Sequence, residues 1–232
     1  MKIGRLVDLT LKLRPGDEKS ELHIKTNFVE ELLPKYKREK DQWYILQIVT
    51  FLDHIGTHIE APFHYIKDGK DVSEIPLERL VREAVILDFT QKKPNEMISL
   101  AEISKSNKDI QQGDIVLIRT GRDKYVNRFT EYERPFISTD AIKWLVEEKK
   151  ISCLGIDCSG MEDKKISHYT QPNHQILLEN EIPIIENLAN LDKLKKKRVL
   201  LFVLPLKIEG LASCPVRVIA IEEDAIEGAQ SK

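Results

Sequence analysis

The chain has 232 residues, 41% of them hydrophobic and 32% charged, and its 36 Lys plus Arg against 38 Asp plus Glu leave a net charge of −2. That length can bury about 70–75% of the unfolded surface, so a single domain over residues 1–232 is expected and a disordered chain is excluded. The charge balance removes the electrostatic case for a nucleic-acid partner, and no apolar run approaches the roughly 18 residues of a membrane span.

At the N-terminus, Arg5, Asp8 and Lys12 interrupt any signal-peptide core. Residues 15–40 are polar and irregular, and the Lys35–Lys40 charge cluster reads as a solvated helix face or loop. Short Val- and Ile-rich runs predict strands at Ile45–Phe51, Ala84–Phe89, Asp114–Thr120, Cys153–Asp157, Ile182–Ile185, Val199–Leu206 and Val216–Ile221. Their apolar residues are continuous rather than alternating, as in strands covered on both faces. Between them, Thr139–Lys149 predicts a helix capped by Thr139 or Asp140, with Ile142, Leu145 and Val146 as its apolar stripe. Residues 100–107 and about 173–180 predict further helices. The Lys193–Arg198 run reads as a solvated turn before a buried strand. The fold class is therefore α/β, with a mixed central β-sheet and flanking helices. Cys153, Cys158 and Cys214 form no CxxC pair, so a reducing, cytoplasmic setting is expected and the thiols read as small core residues.

Chemistry concentrates in His54-Ile-Gly-Thr-His58-Ile-Glu60-Ala-Pro-Phe-His64. Positions 54, 58, 60 and 64 share parity, so an extended chain would aim all four polar side chains to one side and Ile55, Ile59 and Phe63 to the core. Imidazole and carboxylate together suit zinc, manganese or iron(II). At about 3.3 Å per residue a straight strand would hold His54 and His58 about 13 Å apart, whereas two donors on one ion lie within about 4 Å. The chain must bend, and Gly56 stands at the midpoint. Pro62 fixes the backbone before His64, and the Thr57 hydroxyl is placed to hold the turn through a backbone bond. Downstream, a helix carrying His174 and a strand ending at Glu186 would let those two side chains converge. Ser159, with Asp157 and His168 nearby, lacks the G-x-S-x-G elbow of a serine hydrolase.

The His54-x-Gly-Thr-His58-x-Glu60-x-Pro62-x-His64 segment resembles the HxGTHxDxPxH signature of the cyclase family, which includes bacterial kynurenine formamidases and isatin hydrolases. Leu6–Thr10, Leu117–Gly121, Leu154–Asp157, Asn173–Leu178, Ile182–Leu188, Leu204–Lys207 and Cys214–Arg217 resemble further family blocks, in the family's order. The resemblance implies a swivelling β/β/α fold. It implies His54, His58, Glu60, His174 and Glu186 as ligands of one or two divalent ions, Zn2+ or Mn2+, with His64 as catalytic base. It also implies a homo-oligomer, a dimer or dimer of dimers. The activity implied is hydrolysis of a C–N amide bond in a small-molecule substrate, an arylformamide such as N-formylkynurenine or a cyclic amide such as isatin. A cyclase, dehydratase or lactone-acting enzyme on the same site, and a non-catalytic metal-binding module, remain alternatives. Where the signature has Asp this chain has Glu60, whose carboxylate stands about 1.5 Å further from the backbone. Either the metal is displaced or Glu60 binds it in a different mode.

Overall fold

Aliphatic and β-branched runs build a sheet that closes on itself. The computed structural model describes residues 4–16, 22–125, 133–164 and 170–222. In chain order the strands are β1 (Arg5–Asp8), β2 (His23–Phe28), β3 (Ile45–Thr50), β4 (His58–Glu60), β5 (Val81–Asp88), β6 (Met97–Ile98), β7 (Ile115–Arg119), β8 (Phe136–Ile137), β9 (Cys153–Ile156), β10 (Ile184–Glu186), β11 (Arg198–Pro205) and β12 (Ser213–Glu222). The helices are α1 (Val29–Leu32), α2 (Leu77–Leu80), α3 (Leu100–Ile103), α4 (Thr139–Glu147) and α5 (Pro172–Glu179). Eight strands form one sheet in the order β1-β12-β11-β5-β7-β9-β10-β4. Strand β4 pairs with β10 on one side and with the first residues of β12 on the other, which closes a barrel. Strand β1 continues along the remaining edge of β12.

The neighbours β5, β7, β9 and β10 run parallel and the other pairs antiparallel, so the sheet is mixed, as the α/β reading expects. Alternate residues of the parallel strands fill two separate cores. Ile115, Leu117, Cys153 and Ile185 point into the barrel with Leu201 and Val218. Val116, Ile118, Leu154 and Ile156 point outward, where Ile142 and Leu145 of α4 and Leu177 and Leu178 of α5 cover them. Two covered faces explain the continuous apolar runs, and burying each such side chain contributes about 1.5–3 kcal/mol.

Most predicted runs appear as strands, shifted by up to three residues at their ends. Ile45–Phe51 departs in kind. As β3 it pairs only with β2, in a two-stranded ribbon exposed on both faces, rather than joining the covered sheet. Strand β2 itself arises in the segment read as irregular. Residues 100–107 divide into α3 and a 3-10 turn at Ser104–Ser106. The N-cap of α4 is Ser138, one residue before the caps expected from sequence. Lys35–Lys40 is a largely exposed loop, and Lys193–Arg198 is a solvent-facing link into β11. All three cysteines are free and buried, and burial pushes the Cys153 thiol up to about 12. No helix among the described residues is long and apolar enough to cross a membrane.

Candidate metal centre

The ring-closing strand carries the site. In β4, Ile59 faces the barrel interior, so His58 and Glu60 face outward. Glu186 lies directly opposite His58 in the antiparallel β4–β10 register, on the same outer face. Helix α5 covers this face through Leu177 and Leu178 and brings His174 over it. Just before β4 the backbone turns through Gly56 at φ +60, and this bend brings the His54 and His58 rings to 5.1 Å between centroids. Thr57 secures the bend by donating to the carbonyl of Asn187 at 2.6 Å and accepting from the amide of Leu11 at 2.9 Å, so its tie reaches other segments rather than its own turn.

All five residues expected as ligands meet. His54 Nε2 and His58 Nε2 lie 3.5 and 3.4 Å from Glu60 Oε1, while His174 Nε2 lies 3.5 Å from Glu60 Oε2 and 3.3 Å from Glu186 Oε1. The donors form two groups, His54–His58–Glu60 and Glu60–His174–Glu186, each with its ligand atoms within 4.8 Å of one another. Glu60 belongs to both, one oxygen turned to each. His58, Glu60, His174 and Glu186 are buried, yet His54 Nε2, His58 Nε2 and Glu60 Oε2 have no hydrogen-bond partner. Buried polar atoms left without partners in so dense a cluster are costly unless a cation joins them, so the donor set fits a divalent ion.

The electrostatics agree. Burial raises Glu60, but the close His58 ring and the charges of His174, His58 and His64 outweigh it and hold the carboxyl down at about 2. Burial lowers His174, but hydrogen bonds to Glu162 and Glu186 and the charge of Glu60 carry it up to about 10. Burial lowers His58 too, and the carboxylates of Glu60 and Glu186 reverse it. The negative field that holds protons here would equally hold a metal ion.

His64 stands apart from the ligand groups. It ends a 3-10 turn, Pro62–His64, with its ring 4.5 Å from that of His54. Burial lowers its basicity, with Glu60 opposing and His54 and His174 adding to the effect, which favours the neutral ring. The turn also breaks the expected parity: Ile55 and Ile59 are fully buried, but Phe63 is 39% exposed rather than in the core.

Three residues here escape the sequence reading. Tyr65 stacks on His174 at 5.7 Å and lies 4.9 Å from His64; burial and then the surrounding carboxylates push its hydroxyl up to about 12. Asp53 Oδ1 lies 2.8 Å from His54 Nδ1, and Glu162 Oε1 lies 2.9 Å from His174 Nδ1. Adjacency of Asp53 to His54 is a usable sequence signal; Glu162 has none. Asp157 instead takes bonds from Thr120 and Gly121, and His168 lies outside the described residues. Trp144 packs on the helix-side core rather than lining the site.

The chain and its fold are similar to known hydrolases. The chain is 29% identical over 195 residues to an isatin hydrolase of Roseibium aggregatum, covering 73% of this chain and 72% of that protein. It is 28% identical over 228 residues to a kynurenine formamidase of Bacillus anthracis, covering 94% and 98%. Its fold superposes on isatin hydrolase A from Labrenzia aggregata, solved with benzyl benzoate, with a TM-score of 0.79 at 25% identity over 94% of this chain and 93% of that one. A potential metal-dependent hydrolase with cyclase activity gives 0.74 at 27% identity over 95% and 99%. With the family model of the putative cyclases matching residues 7–163, the chain belongs to the cyclase family.

Proposed function

We propose that the protein is a metal-dependent amidohydrolase that cleaves a C–N bond of a small arylformamide or cyclic amide. The observation that carries this reading is the convergence of five buried or half-buried donors, four of them around Glu60, with orphaned polar atoms among them and the separate His64 ring 4.5 Å from that of His54. His54, His58, Glu60, His174 and Glu186 would hold one or two divalent ions, Zn2+ or Mn2+. The split of the donors into two groups sharing Glu60, with one of its oxygens toward each, favours two. A bound ion supplies Lewis acidity, polarising the amide carbonyl and making water acidic enough to attack near neutral pH.

The chain's own groups do the rest. His64 takes the proton from the attacking water as the new C–O bond forms. It then returns that proton to the leaving nitrogen as the C–N bond breaks, giving an amine and a carboxylic acid, which then releases its own proton to solvent. The protonated Tyr65 ring forms a flat wall beside His174 and His64, suited to a planar substrate. A pure binding module has no use for His64, which favours an enzyme. The homo-oligomer joins this proposal, with the exposed β2–β3 ribbon as its contact surface. The expected location remains the cytoplasm, in keeping with the free thiols.

The test combines elemental analysis of the purified protein with assays on N-formylkynurenine, isatin and simple cyclic amides. His64→Ala should retain wild-type metal content and lose about 10²–10⁴-fold in rate. Full activity in that variant removes the base assignment, and a protein without bound metal removes the whole reading.

A further inference from the structure

Each of the three converging imidazoles has its Nδ1 occupied by an acceptor. For His54 this is the Asp53 carboxylate at 2.8 Å, for His58 the Gly56 carbonyl at 2.8 Å, and for His174 the Glu162 carboxylate at 2.9 Å. The His174 partner differs from the others. Asp53 is partly solvated, whereas Glu162 is buried, and its Oε1 also accepts from the backbone amides of Asn173 and His174 at 3.0 Å each. One carboxylate oxygen therefore fixes both the first turn of α5 and the imidazole that projects from it. Arg134 ties the same segment down by donating to the carbonyls of Ser159 and Glu162.

We propose that Glu162 is a positioning residue of the metal centre: it locks His174 with Nδ1 as donor, so that Nε2 presents its lone pair to Glu60 and Glu186. Like the Gly56 carbonyl at His58, the Glu162 carboxylate accepts only and so favours the proton on Nδ1; unlike a carbonyl, its charge also makes the imidazole a better donor to a cation. Because Glu162 touches only the Glu60–His174–Glu186 group, its influence falls on that group and leaves His54–His58–Glu60 alone. This inference rests on the metal-dependent reading above.

The test is a zinc titration of chelator-stripped protein against a competing chromophoric chelator, using wild type, Glu162→Ala and Glu162→Gln. The amide oxygen of Gln can still accept from the backbone amides of Asn173 and His174, so the metal-free melting temperature of Glu162→Gln should stay near wild type. Its affinity for one equivalent of zinc should fall about tenfold, and that of Glu162→Ala by up to about 100-fold. Imidazole ¹⁵N shifts of zinc-loaded wild type should show His174 protonated at Nδ1 and unprotonated at Nε2. Wild-type zinc affinity in both variants overturns the proposal. So does an affinity loss in Glu162→Gln that merely follows a fall in its metal-free melting temperature, since that marks a structural role alone. A wild-type protein that binds zinc tightly but hydrolyses none of the amides overturns the proposed activity and leaves the Glu162 result standing on its own readout. One that binds no zinc overturns both.

Discussion

Gly56 shows how much of the site depends on one backbone angle. Its φ of +60 is a conformation that costs an L-residue about 1–2 kcal/mol, and a Cβ there would run into the Leu13 side chain. Its carbonyl also takes the hydrogen bonds of His58 Nδ1 at 2.8 Å and Asn187 Nδ2 at 3.2 Å, so moving it disturbs a ligand directly. Gly56→Ala is expected to lose about 2 kcal/mol, which for a chain of this size lowers the melting temperature by about 4–8 °C. Metal affinity should fall with it. Calorimetry checks the first and chelator competition the second; an unchanged melting temperature would mean the bend tolerates a side chain. Glu60 teaches a related lesson. It stands where the family's signature has Asp, and its two oxygens face the two donor groups.

At the scale of elements, local chemistry sets the ends of helices with measurable consequences. The start of α3 carries a capping box: Glu102 accepts from the amide and hydroxyl of Ser99 and pairs with Lys92 at 2.7 Å. The Lys92 hydrogen bond and then the Ser99 donors hold the Glu102 carboxyl down at about 2. A carboxyl depressed by folding stabilises the fold above its ordinary titration and ceases to do so as acid protonates it. Glu102→Ala is therefore expected to cost about 1 kcal/mol near neutral pH. The difference from wild type should shrink as pH falls from about 4.5 toward 2. Urea titrations at several pH values measure it; a difference independent of pH would place the stabilisation elsewhere.

Elements also mark where sequence reading succeeds. Runs such as Ile115–Arg119 and Cys153–Ile156 are legible because both faces are buried and the apolar residues are continuous. The His54–His64 segment is legible because its residue types are costly to keep together. Strand β2 is not, since His23, Lys25, Thr26 and Asn27 look like loop residues when no core covers either face. Strand β3 looks like core and is not, because its apolar residues lie on an exposed ribbon. Tyr65 and Glu162 reach the site through the Pro62–His64 turn and the approach to α5, contacts that only tertiary packing creates.

For the whole molecule, the ribbon is the conspicuous unfinished surface. Ile24 faces Val49 across it, and they are 44% and 48% exposed; Ile48, on the other face, is 47% exposed. A two-stranded ribbon is marginal alone, and apolar contacts on both of its faces call for a covering surface, which we assign to a second copy of the chain. Light scattering should find an oligomer, and Ile48→Asp should shift it toward monomer with metal content unchanged. A monomeric wild type sinks this assignment.

The closure of the barrel carries a last consequence. The strand that supplies His58 and Glu60 is three residues long and is also the seam between β10 and β12. Sliding it by a single position would exchange its faces, pressing both donors into the oily interior and turning Ile59 toward the solvent side. An ion clasped across that seam would thus act as a rivet for the correct alignment, and a chain misaligned there could keep nearly all of its secondary structure while being chemically dead.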